Sequence, residues 1–251
     1  GVYVNGDIIV CDDAKLTVAC NPSCRSSVGV YSGFSIKVQD NAVLDVSSAD
    51  NYAYSFEYGG TTYTSESTSS VGIKCSDMTV SGNAAVTSFG GEVAESSNED
   101  DGSYGIITGS NAFTINGGTV LAGSRSTEGV SVALKRSPVL GTGITAGGSV
   151  NADGSGAVVY AVADNDTYKW FKAPVTMYTV SVTAGANMIS DNDTVPLSQT
   201  IVEGGSVEEI CMVADDGYCF PANYASLGTT NGVTVTLDSG DVIISGTPTD
   251  D

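Results

Sequence analysis

The chain has no histidine, so the side chain that most often serves as a general base and neutral metal ligand is missing. Cations are scarce too: nine Lys and Arg stand against 29 Asp and Glu, for a formal net charge of −20. That balance argues against nucleic acid as a partner, because phosphate neutralisation needs Lys and Arg. It disfavours anionic membrane surfaces for the same reason. No apolar run approaches the roughly 18 residues of a membrane span, so no insertion within this chain is expected. No signal peptide is visible, although the chain opens inside a repeat, which points to a trimmed start. No cysteine pair has C-x-x-C spacing and histidine is absent, so the usual zinc-site spacing is missing. No glycine-rich phosphate loop opens a helix. A serine nucleophile has no histidine to activate it.

Charged residues make up only 15% of the 251, against about 25% in an average globular protein. The polar surface must come from Ser, Thr, Asn and the 31 Gly. These residues form helices poorly and suit short strands joined by tight turns. With 41% hydrophobic residues there is enough apolar surface for a core.

The apolar residues repeat. Gly1-Val2-Tyr3, Gly29-Val30-Tyr31, Gly72-Ile73-Lys74, Gly105-Ile106-Ile107 and Gly129-Val130-Ser131 share a pattern. Alternating pairs follow: Ile8/Val10, Ile36/Val38, Met78/Val80 and Phe113/Ile115, then Leu16/Val18, Leu44/Val46, Val86/Ser88, Val120/Ala122 and Val150/Ala152. Side chains at i and i+2 share one face of a strand. Between the pairs sit Asp12-Asp13, Asp40-Asn41, Gly82-Asn83, Gly117-Gly118 and Gly147-Gly148, residues that tolerate the positive φ of a sharp corner. One such unit cannot bury its apolar face, whereas stacked units can. The expectation is an all-β chain whose residues 1–173 form a parallel β-solenoid (a β-helix), right-handed by default. Leu16, Leu44, Val86, Val120 and Val150 should lie one above the next, and Tyr168–Lys172 should close the open end.

Beyond Pro174 the pattern changes. Alternating runs at 178–182, 200–202, 207–213, 233–237 and 242–244, with turns at Asn231-Gly232 and Ser239-Gly240, predict a small antiparallel β-sandwich over 175–251.

The phrases Gly1–Ala19, Gly29–Ser47, Gly105–Ala122 and Ala146–Ala152 resemble β-helical repeat surface proteins of Gram-positive anaerobes, some of them carbohydrate-binding. The phrases Ala214–Pro221, Asn231–Val235 and Ile244–Pro248 resemble an immunoglobulin-like bacterial repeat found beside them. The resemblance implies export and a cell-surface location, and supplies no catalytic motif.

Three constellations could carry function. The first is an aromatic hairpin formed by Tyr52, Tyr54, Phe56, Tyr58, the Gly59-Gly60 turn and Tyr63, whose rings could stack on sugar faces. The second is calcium, which takes about six to eight oxygen ligands. The candidates are Asp12, Asp13 and Asp40 at matching turns, and Asp100 and Asp101 in an acidic loop. The third is a carboxylate pair among Asp12, Asp13, Asp40 and Asp45, as glycoside hydrolysis requires. A solvated turn, where Asp serves the backbone, is the favoured reading of these aspartates. The favoured expectation is a non-catalytic extracellular protein for adhesion or glycan binding, with polysaccharide, host glycan or host protein as partner. A polysaccharide lyase or hydrolase and a purely structural stalk are the alternatives. Disulfides 20–24 and 211–219 are compatible with such a location, as are free thiols.

Overall fold

A computed structural model describes all residues except 22–25, 53, 66–67, 94–100, 110–111, 128, 192–193, 223, 225–228 and 251. The chain is all-β, with parallel sheets and separate antiparallel sheets. It divides into two compact units, Gly1–Gly154 with Tyr160–Pro174, and Ser155–Val159 with Val175–Asp251. The short segment Ser155–Val159, which the sequence pattern leaves with the first module, therefore belongs with the second.

Three parallel sheets build the first unit. The first sheet runs Val2–Val4, Ser27–Ser32, Ser70–Cys75, Gly102–Thr108, Val130–Leu134. The second runs Ile8–Val10, Ser35–Val38, Asp77–Val80, Phe113–Ile115, Val139–Leu140. In the third, Lys15–Ala19, Val43–Ser47, Ala85–Gly90 and Thr119–Ser124 are neighbours in that order. Each repeat thus gives one strand to each sheet. Ile8 aligns with Ile36, Met78 and Phe113, and Val10 with Val38, Val80 and Ile115. Leu16, Leu44, Val86 and Val120 share one row. Ile36, Val38, Leu44, Met78, Val80, Phe113, Ile115 and Val120 are buried in one continuous cluster. Burying each such side chain contributes about 1.5–3 kcal/mol.

The turn residues do what their types allow. Asp12, Asp40 and Gly82 hold φ of 56°, 61° and 68° at equivalent corners. Corner backbones also bond from repeat to repeat, Asn41 N–H donating to the Asp12 carbonyl and Asn83 N–H to that of Asp40.

Three expectations fail at the fifth repeat. Val150 does not continue the Leu16 row and is 58% exposed. In its place the strand Trp170–Ala173 runs antiparallel between Thr119–Ser124 and Gly147–Ser149, with Phe171 opposite Ala122 and Gly148. Gly147-Gly148 is therefore strand, and the corner falls earlier, where Ile144 N–H donates to the Gly141 carbonyl. Nor does Gly129 continue the glycine row. Ile106 pairs with Leu134, so Ala133 stands where Gly1, Gly29, Gly72 and Gly105 stood. Tyr168–Lys172 supplies the strand Trp170–Ala173, which pairs with Thr119–Ser124, the last of the parallel strands in the third sheet, and buries Phe171 against the core.

The second unit has a two-stranded antiparallel sheet, Met177–Ser181 with Ser198–Val202. It also has a five-stranded one ordered Met188–Ser190, Val207–Ala214, Asp241–Gly246, Val233–Asp238, Thr229–Thr230. Both central residues of Asn231-Gly232 and of Ser239-Gly240 have positive φ, the geometry of a two-residue hairpin that matches strand twist. Ile201 from the smaller sheet shares one buried cluster with Ile210, Met212, Val242 and Ile244 from the larger. An apolar hollow of about 420 Å3, lined in part by Val180, Met188, Met212 and Val242, opens into this cluster.

Candidate functional site: an exposed aromatic hairpin

Tyr54, Phe56 and Tyr58 alternate with Ser55 and Glu57 before two glycines, and Tyr63 follows among Thr and Ser. Gly59 and Gly60 take φ of 61° and 78°, which closes the hairpin tightly. Tyr54–Tyr58 and Thr61–Ser65 pair antiparallel, with Phe56 opposite Tyr63 and Tyr58 opposite Thr61. This ribbon is a separate two-stranded sheet, and residues 55–64 are exposed on both faces. The Phe56 and Tyr63 rings stack with centroids 5.3 Å apart at 17°. Phe56 is 49% exposed, Tyr63 48%, Tyr58 76% and Tyr52 50%. Tyr54 pairs with Ser65 in the backbone register, and its side chain lies outside the described residues. An isolated hairpin is marginally stable, and these rings are exposed to solvent. Their apolar area is thus left available to a ligand.

The structure brings Asp12, Asp13 and Asp40 into adjacent corners but occupies them there. Asp40 Oδ2 accepts from Asp12 N–H at 3.2 Å and from Gln39 Nε2 at 3.3 Å. Asp13 Oδ1 accepts from Asn41 Nδ2 at 3.0 Å, and Asn41 Oδ1 accepts from Asn83 Nδ2 at 3.2 Å. The result is a polar ladder that ties successive corners together. Asp45 lies between Thr17 and Thr87 in the third sheet, with no carboxylate beside it on either strand. Asp101 precedes the strand Gly102–Thr108 and is half-buried, while Asp100 lies outside the described residues. Among the described residues no group of three or more His, Cys, Asp or Glu side chains could hold a metal ion.

One carboxylate ladder was not apparent in the sequence. Asp7 Oδ1 accepts from the Ser35 hydroxyl at 2.6 Å and from Ser35 N–H at 3.0 Å. These bonds hold the Asp7 carboxyl below its ordinary range. Tyr3 and Tyr31, at matching positions of the first two repeats, stack with centroids 4.4 Å apart at 10°.

The cysteines are free where described. Cys211 is half-buried and Cys219 exposed, and they are not paired with each other. Cys20 is also free, and Cys24 lies outside the described residues. Burial pushes the Cys75 thiol up to about 12. Maleimide added to native protein at neutral pH is therefore expected to label Cys219 and spare Cys75, with guanidinium exposing both. Equal labelling rates by mass spectrometry would contradict this. The unfolded chain loses the Cys75 proton near the ordinary value of 9.0 while the folded chain keeps it to about 12. Stability contributed by this thiol is thus complete below 9.0 and lost as pH rises toward 12.

Among the described residues, no helix is long and apolar enough to cross a membrane. Comparison of the chain with protein-family models, curated proteins and solved structures gives no match.

Proposed function

We propose that this chain is a non-catalytic extracellular glycan-binding protein that works at the cell surface as an adhesin. In this reading the three parallel sheets are the flanks of one β-solenoid, each repeat making one turn of it. The second unit is an immunoglobulin-like β-sandwich that serves as spacer. The resemblance of the repeat phrases to β-helical surface proteins supports the location.

One observation carries the binding role: the stacked Phe56–Tyr63 pair on a ribbon exposed on both faces. A soluble protein exposes such a cluster at a cost in solubility, and an exposed cluster of large apolar side chains marks a contact site. Planar rings suit the flat apolar face of a pyranose.

The test is a neutral-glycan array probed with the protein and with Phe56→Ala/Tyr63→Ala. Loss of about 1.4 kcal/mol across the two rings corresponds to a tenfold weaker Kd. Both residues lie outside the buried clusters, so the melting temperature should stay unchanged. Full retention by the double variant, or no retention of any neutral glycan by the parent, would overturn the platform.

A further inference from the structure

The outer face of the first sheet carries a second row of side chains. Tyr3 pairs with Tyr31, Tyr31 with Lys74, and Lys74 with Ile107. Lys135 follows Leu134, the partner of Ile106, and so comes next beyond Ile107. The row therefore reads Tyr3, Tyr31, Lys74, Ile107, Lys135 across successive strands. Tyr3 and Tyr31 stack face to face, and Tyr3 is 75% exposed.

A groove of about 250 Å3 runs along the Lys74, Ile107 and Lys135 part of this row. Its wall includes Val28, Val71 and Ile107, and the cations Lys74, Lys135 and Arg136, with no carboxylate among the lining residues. An adjoining hollow of about 480 Å3 shares Lys135 and Arg136. Its one carboxylate, Asp166, accepts a hydrogen bond from Asn165 Nδ2 at 3.3 Å. Lys135 Nζ sits 5.1 Å from the centroid of the buried Tyr104 ring, which fixes where its charge lies. The composition runs the other way, with 29 acidic residues and nine basic. Three of those nine converge here, and no ion pair among the described residues takes up Lys74, Lys135 or Arg136. Screening over roughly 8 Å at physiological salt leaves this local field to decide what binds, despite the overall charge.

The spacing selects the ligand. Lys74 and Lys135 stand two strands apart, about 9–10 Å at 4.7–4.9 Å per strand. An extended peptide repeats same-face carboxylates every ~6.8 Å and does not match. A sugar in an extended β-linked chain advances by close to one strand spacing, so acids on alternate sugars fall opposite the two lysines.

We propose that this groove binds an acidic polysaccharide bearing carboxylates on alternate sugars, with Lys74 and Lys135 each pairing with one carboxylate. The proposal rests on the glycan-binding reading above but uses a different site. The test is calorimetric titration of the whole chain with a hyaluronan octasaccharide, a neutral β-glucan octasaccharide and an oligoglutamate octapeptide. The expected result is binding of the hyaluronan fragment, weakened at least tenfold by Lys74→Gln/Lys135→Gln at unchanged melting temperature. Lys74→Arg/Lys135→Arg should retain it. No hyaluronan binding, binding indifferent to the glutamine pair, or equal binding of oligoglutamate overturns the proposal. Phe56→Ala/Tyr63→Ala should leave the hyaluronan Kd unchanged. A parent that binds hyaluronan but no neutral glycan therefore counts against the hairpin alone, and hyaluronan binding indifferent to the lysine variants counts against the groove alone.

Discussion

Replacing Gly105 by alanine is expected to lower the stability of the first unit by about 3 kcal/mol, the upper end of overpacking penalties. A Cβ there would lie 2.7 Å from the Ala133 carbonyl oxygen, 2.7 Å from Gly123 N and 2.9 Å from the Ser88 carbonyl oxygen. All three are backbone atoms held in sheets, so none can swing aside as a side-chain tip would. Gly29 and Gly72 meet the same situation, each with its Cβ position 2.7 Å from the carbonyl oxygen of the next glycine in the row. The row ends in alanine at Ala133, where the backbone N–H donates instead to the Tyr168 carbonyl at 2.8 Å. At about 2–4 °C per kcal/mol, Gly105→Ala should lower the melting temperature by roughly 6–12 °C. Gly59→Ala is the comparison: its φ of 61° adds strain of about 1–2 kcal/mol, but the Cβ meets nothing within 4 Å. That strain is confined to the separate hairpin. A Gly105→Ala melting temperature within 2 °C of the parent would show that the glycine row is not a close-packed seam.

The glycine row was legible because the motif repeats as a string, and four of its five predicted members align. The alternating pairs were legible for the same reason, down to Leu16, Leu44, Val86 and Val120. What failed was continuation by count. Val150 has the spacing of a fifth member, but spacing carries no strand direction, and the antiparallel strand Trp170–Ala173 fills the next position instead. The strand Met188–Ser190 was missed because three residues give too little alternation to read. The hairpin was visible as local alternation around Gly59-Gly60. The Lys74–Lys135 row was not, because its members are separated by loops of different length and meet only through register.

Phe171→Ala is expected to cost the first unit about 3–5 kcal/mol, the range for truncating a buried aromatic ring. Phe171 is fully buried and belongs to the same cluster as Val120, Ala122 and Phe113. Its neighbours in the sheet, Ala122 and Gly148, are small, so they cannot expand into the space the ring leaves. Tyr160 packs edge-on to it, centroids 5.1 Å apart at 87°, and also loses its support. Tyr160 is further fixed by donating its hydroxyl to Asn165 Oδ1 at 2.7 Å, and Asn165 Nδ2 donates to the Leu134 carbonyl at 2.9 Å. The ring therefore anchors both the antiparallel strand and the turn that leads to it. Phe171→Leu fills most of the volume and should cost under about 1.5 kcal/mol. Hydrogen exchange gives the sharper readout. In Phe171→Ala the amides that bond across this strand, such as Ser124 N–H to the Lys169 carbonyl at 2.8 Å, should lose protection before those joining Val43–Ser47 to Ala85–Gly90. Uniform loss across all three sheets would show that the first unit opens as a whole, with no separable anchor at Phe171.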